Sequence, residues 1–312
     1  MKSKVFAVVL VILLLVIVVP FVLAQASGGE ERPLHGISLA ETVYEEISFV
    51  NEAQDIQLGG MLFLPDSNDP YPAVVIIHGS GTSRRENQWY VTLAHSLQEN
   101  GIAVLLPDKR GSEKSGGNWR TASFEDLATD TVAAVDYLKG RDDLPITTMG
   151  IVGLSQGGHI APVAATMSSH AGFVINLVGA AVTIEEQLLY EENHNLRQMG
   201  LLPGISNLIA YPAAWSIREV RQKEFWDAVA NFDPLPYWQA VDVPALALYG
   251  EVDTNVPAAE SAARLQALNK GNIAIRIYEG SGHALQDPPE RGNDLIRAEA
   301  LRDVRDFIFA AD

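Results

Sequence analysis

Four short runs in this chain are apolar at nearly every position, and they limit its fold more than any other feature does. Ala73–Ile77, Ile102–Leu106, Met149–Val152 and Ala245–Tyr249 show no alternation of apolar and polar residues. A strand of that kind has no face to offer to water, so it belongs inside a sheet covered on both sides. Between these runs stand segments that read as helices. Asn87–Asn100 stops at Gly101, and a stretch from Ser123 to Leu138 stops at Gly140. Asp126 follows Ser123 by three residues, close to a capping box. Further strands are expected at Ile47–Val50, Met61–Leu64, Phe173–Val178 and Ile273–Tyr278, with Gly59-Gly60 as a turn. Further helices are expected at Gln156–Met167, Ala258–Leu268 and Asn293–Phe309. Strands alternating with helices predict an α/β fold with a mostly parallel sheet flanked by helices.

At 312 residues and 47% hydrophobic content, the chain can build one large core, assigned to residues 45–312. The interval 183–240 breaks the strand–helix rhythm. It holds Trp215, Trp226 and Trp238, three of the five tryptophans, and reads as a helical cap insertion between two core strands. Its tryptophans would either line a substrate pocket or form the insertion's own core. Lys2 and Lys4 precede an apolar run from Val5 to Val19, followed by Ala24-Gln25-Ala26 and a polar stretch. That order marks residues 1–26 as a secretory signal peptide, or as an uncleaved membrane anchor. Either way the expected location is extracytoplasmic: secreted, or anchored to the membrane by the N-terminal segment. Residues 27–44 read as a polar linker.

Gly153-Leu154-Ser155-Gln156-Gly157 matches G-x-S-x-G. Its setting makes it informative, because a buried strand enters it and a helix leaves it, as a nucleophile elbow requires. The turn is so tight that side chains flanking the serine would collide, hence the glycines. A serine hydroxyl needs a base, and the base needs an orienting carboxylate. On such a fold the order is Ser, acid, His. Of seven histidines, His283 alone sits in a small-residue loop just past the last strand, where parallel sheets bind ligands. His159 should point into packing, and His78 should hold its own loop. Asp253 follows the Ala245–Tyr249 strand, with Glu251 and Asp233 as rival acids. An oxyanion needs fixed N–H donors. These are assigned to the backbone of Gln156 and of Ser80 in His78-Gly79-Ser80-Gly81, with Gly81 as rival.

In order and approximate spacing, the stretches VVIIHGSG, LLPDKRGSEKSGG, VGLSQGG, LYGEVDTNVP and GSGHAL resemble the α/β-hydrolase superfamily from about Glu45 onward. The nearest likeness is to secreted bacterial esterases related to dienelactone hydrolases and to the serine aminopeptidase and prolyl oligopeptidase branches. The resemblance implies the α/β-hydrolase fold, Ser155 as nucleophile, Asp253 as acid, His283 as base, and no cofactor. It implies an architectural role for Asp108-Lys109-Arg110-Gly111.

The expected activity is a serine hydrolase, foremost a carboxylic-ester hydrolase acting through an acyl-enzyme on a small-molecule ester or short peptide. A peptidase, acyltransferase or thioesterase would use the same residues. A peptidase would need a pocket for the substrate amine, which Glu185, Glu186, Glu191 and Glu192 could supply. A non-catalytic binding protein on this fold is the alternative of a different class. A net charge of −17 disfavours nucleic acid as a partner. With no cysteine, disulfides, thiolate metal sites and a cysteine nucleophile are excluded. No metal-binding motif is present.

Overall fold

The computed structural model describes residues 32–67 and 69–312. The expected leader, 1–26, lies outside them. Eight strands form one sheet: β1 (Glu45–Asn51), β2 (Ile56–Phe63), β3 (Tyr71–Ile77), β4 (Ala103–Pro107), β5 (Ile146–Leu154), β6 (Phe173–Leu177), β7 (Ala245–Gly250) and β8 (Ile273–Tyr278). Their spatial order is β1-β2-β4-β3-β5-β6-β7-β8. The pairs β1–β2 and β2–β4 are antiparallel, and every pair from β4–β3 to β7–β8 is parallel. This is the α/β-hydrolase architecture expected from the sequence.

The continuous apolar runs are buried on both faces. On β3, Ala73, Val75 and Ile77 join one core and Val74 and Ile76 the other. The second core is closed by α1 (Gln88–Glu99), through Leu93 and Leu97, and by the C-terminal helix through Val304 and Ile308. The first is closed by α2 (Phe124–Lys139) and α3 (Gln156–Met167). Ser123 caps α2, its side chain accepting from the Asp126 N–H while Asp126 accepts from the Ser123 N–H.

Three details differ from the sequence reading. Gly59 and Gly60 are not a turn but lie inside β2; the turn falls at 52–55. A Cβ on Gly59 would stand 2.7 Å from Lys114 and 2.9 Å from Asp108, so the glycine admits the loop that crosses after β4. The C-terminal helix, expected from Asn293, starts at Ala298. The preceding residues extend to pair with the N-terminal segment: the His35 N–H bonds the Asn293 carbonyl and the Leu295 N–H bonds the His35 carbonyl. That segment belongs to the stretch read as a linker. From Arg32 onward it is docked on the body, and Ile37 N–H donates to Thr92.

The insertion between β6 and β7 forms α4 (Ile184–Gln198), α5 (Pro203–Ser216), a π-helical turn (Ile217–Arg221), α6 (Lys223–Val229) and α7 (Leu235–Ala240). α8 (Ala258–Ala267) and α9 (Ala298–Ala311) complete the chain. The three tryptophans of the insertion divide by environment. Trp238 is fully buried in the core, Trp215 is exposed, and Trp226 is buried along the wall of a large cavity. Trp238→Ala is therefore expected to cost about 3–5 kcal/mol and to leave relative substrate preference unchanged. Trp226→Ala should shift the preferred acyl length. Melting curves taken beside a chain-length profile check both. Among the described residues, no helix is long and apolar enough to cross a membrane.

Candidate active site

β5 ends at Leu154 and α3 begins at Gln156, so Ser155 alone makes the turn. Its backbone sits at φ 54°, ψ −117°, a conformation that side-chain-bearing residues rarely hold outside functional sites. The flanking glycines are required by contact. A Cβ on Gly153 would lie 2.1 Å from the Gly157 carbonyl oxygen, and one on Gly157 would lie 2.3 Å from that of Ile77. The Ser155 N–H is held by the Leu177 carbonyl of β6. The side chain is thus presented above the carboxyl ends of the parallel strands, as an elbow requires.

His283 reaches Ser155 from the loop after β8. Its Nε2 is 2.9 Å from Ser155 Oγ, and its Nδ1 is 2.8 Å from Asp253 Oδ2. Asp253 is buried, and its other oxygen accepts from the N–H groups of Asn255 and Val256. Those bonds fix which oxygen faces the imidazole. With the Nδ1 proton donated to Asp253, Nε2 is free to accept the serine proton. The rival acids are engaged elsewhere. Glu251 accepts from the Gly280 N–H, and Asp233 accepts from the Leu235 N–H at the start of α7.

The two assigned donors, Ser80 and Gln156, line the same cavity as Ser155. Among the described residues, neither backbone N–H has a protein acceptor. Gly79 turns the β3 loop toward the elbow and donates its N–H to the Tyr90 hydroxyl at 2.7 Å. His78 braces the loop from below, with its Nε2 2.9 Å from the Pro107 carbonyl. Burial lowers its pKa to about 3, so the ring is neutral at working pH. His159 stacks on Phe124 and is pulled down to about 4, also by burial. His78 thus supports its loop, whereas His159, expected to point into packing, is buried along the wall of the same cavity as Ser155.

Several supports have partners too distant in the chain for sequence reasoning to find. Arg297 bonds the Glu279 carbonyl and Ser281 Oγ, clamping the loop that carries His283. Trp89 donates to the Ala284 carbonyl and lies 5.7 Å from the His283 ring. The Tyr190 hydroxyl, on α4, donates to the Asp253 carbonyl and ties the insertion to the acid's loop. In the Asp108-Lys109-Arg110-Gly111 loop, Asp108 is paired bidentately with Arg85, and Arg110 with Asp130. These two ion pairs are architectural. Lys109 between them points instead at the elbow.

The cavity has a volume of about 770 Å³. Trp119, Phe225 and Trp226 form an aromatic wall, and Glu191 and Glu192 lie on the α4 side. Among the described residues, no group of three His, Asp or Glu side chains is arranged to hold a metal ion. The arrangement can move a proton from serine to imidazole and hold a developing oxyanion. Those are the requirements of acyl transfer.

Comparison with known proteins agrees with this geometry. Esterase EstD of Thermotoga maritima is 24% identical over 266 residues, covering 78% of this chain and 64% of that protein. The acylamino-acid-releasing enzyme of Sus scrofa is 24% identical over 295 residues, covering 87% of this chain and 38% of the other. The chain thus spans less than two thirds of the length of either relative. The structure of the Pyrococcus furiosus esterase Pf2001 superposes with a TM-score of 0.63 at 18% identity, covering 90% of this chain and 98% of that one, and speaks for the fold. The model of the prolyl oligopeptidase family matches residues 92–301, about two thirds of the sequence, and the chain belongs to that family.

Proposed function

We propose that the protein is a serine-dependent carboxylic-ester hydrolase working through an acyl-enzyme. One observation carries the reading. A continuous hydrogen-bonded relay, Ser155 to His283 to Asp253, opens into a cavity large enough for a small ester. His283 Nε2 takes the hydroxyl proton as Ser155 Oγ attacks the acyl carbon. The N–H groups of Ser80 and Gln156 receive the oxyanion. The imidazolium then protonates the departing alcohol, leaving an ester on Ser155. Water, deprotonated by the same nitrogen, attacks that ester, and the acid leaves as the serine regains its proton. A thioester would be opened by the same oxygen.

A second reading, a substrate carrying a cationic amine, is favoured by Glu191. This carboxyl lines the cavity, and burial foremost raises its pKa. Among the described residues, its one polar contact is a long one, 3.4 Å from Asn255 Nδ2. Glu192 also lines the cavity and accepts from Asn195 Nδ2 at 3.2 Å, while the other two acidic candidates on α4 are held in ion pairs. Glu185 pairs with Arg218, and Glu186 with Arg264. A panel of nitrophenyl esters and aminoacyl anilides on the purified domain separates the two readings. Ester turnover with Glu191→Gln within about threefold of wild type supports the plain esterase. An aminoacyl preference that Glu191→Gln lowers about tenfold or more supports the second reading. No turnover of any member would sink both.

We further propose that the leader-like pattern at residues 1–26 directs the domain out of the cytoplasm. Sequencing the N-terminus of the fractionated protein tests it, and a full-length cytoplasmic product would contradict it.

A further inference from the structure

Lys109 is buried, yet among the described residues it is bound to no acid. Its ammonium donates to the Gly79 carbonyl at 2.8 Å and to Gln156 Oε1 at 2.6 Å, and it stands 5.0 Å from the Trp119 ring centroid. Among the described residues, no carboxylate lies within ion-pair distance of it. The charges around it are already spent or absent. Asp108 is held by Arg85 and Arg110 by Asp130, and Arg120 covers Trp119 at 4.6 Å from the ring centroid. His78 and His159 are neutral. The ammonium also lies at the N-terminus of α3, the positive end of that helix. Burial, helix dipole and the missing counter-ion all oppose a cation here, and an apolar chain of similar length would fill the space at less cost. Such costs are kept where function needs them.

Its two partners explain the need. Gly79 C=O and Ser80 N–H belong to one peptide group, and in a trans peptide the two bonds point in opposite directions. A cation on the carbonyl oxygen therefore sets the N–H pointing away from itself. It also draws electron density from that N–H, strengthening it as a donor. Gln156 supplies the other N–H, and its side chain folds back onto the same ammonium. Given the acyl-transfer reading above, on which this rests, we propose that Lys109 is the positioning residue of the oxyanion site, bridging the loops that carry the Ser80 and Gln156 donors and polarising the Gly79–Ser80 peptide. Burial also brings its pKa down to about 7. The charge is then present in mildly acidic solution and lost as the pH rises through neutrality.

The test uses Lys109→Met and Lys109→Arg with a nitrophenyl ester from pH 5.5 to 9, beside the affinity for an alkyl boronic acid, which mimics the tetrahedral state. At pH 6, Lys109→Met is expected to lower kcat about 100-fold with KM within about threefold. The boronic acid should bind about 100-fold more weakly. The wild-type advantage should shrink above about pH 7 as the ammonium loses its proton. Lys109→Arg keeps its charge, so its kcat should hold on the alkaline side where that of the wild type declines; this arm stands even if Lys109→Met fails to fold. A kcat for Lys109→Met within about threefold of wild type at pH 6 overturns the proposal. A loss that is equal at every pH and shared by KM also overturns it, because it would mark structural support alone. Fluorophosphonate labelling of the wild type, absent in Ser155→Ala, checks the acyl-transfer reading separately.

Discussion

Ser155→Ala is expected to lower kcat/KM for ester hydrolysis by at least about 10⁴-fold, about 5.4 kcal/mol of transition-state stabilisation. The variant should also lose all labelling by a fluorophosphonate probe. The reason is geometric. Among the described residues, Ser155 is the only hydroxyl that His283 Nε2 contacts, and the elbow holds it there at positive φ. Water entering the vacated space would meet the same oxyanion donors, so a small residual rate is expected rather than none. The fold should not suffer. Ser155 makes no side-chain cap bond, and alanine relieves none of the contacts that hold Gly153 and Gly157. An equal or higher melting temperature is the companion measurement. A rate within tenfold of wild type would remove Ser155 from the mechanism.

Asp253→Asn is expected to lower kcat by about 10³–10⁴-fold with little change in KM. The carboxylate has two tasks, and asparagine keeps only part of one. Oδ1 accepts from the N–H groups of Asn255 and Val256, and an amide oxygen can replace it there. The amide NH₂ then faces His283 Nδ1, where a donor meets a donor. The ring escapes by moving its proton to Nε2, the atom that must accept from Ser155. The imidazolium formed during attack also loses its counter-charge. Steady-state kinetics with a nitrophenyl ester, beside a melting curve, test this. If the rate fell only a few-fold, Glu251 would have to be reconsidered, even though it bonds Gly280 instead.

Much of this was legible in the sequence because the decisive constraints are local. Gly153 and Gly157 are four residues apart, and their contact is what shapes the turn around Ser155. The strands that are apolar at every position reveal burial on two faces without any knowledge of their partners. What escaped depends on partners far along the chain. A glycine pair that admits a crossing loop has the same signature as one that makes a turn, so Gly59-Gly60 was read as a turn. Aromatic content located an insertion between β6 and β7 but could not assign Trp215, Trp226 and Trp238 to surface, cavity and core. Lys109 looked architectural because its partners, Gly79 and Gln156, lie 30 and 47 residues away. The helix expected at Asn293 yields its first turn to a pairing with His35, on the far side of the sequence.

That last pairing bears on when the protein can work. The serine is set by β5, α3 and β6, all complete by Leu177. The base is not. Its loop runs on through Leu285, which accepts from the Arg297 N–H, and through Asp287 and Gly292, whose carbonyls receive Arg32. Asn293 and Leu295 then close on His35. The last support of His283 is assembled only when the first and final described segments meet. On the proposed reading, a nascent chain presents Ser155 early and completes the support of His283 only when its last segment has docked on its first.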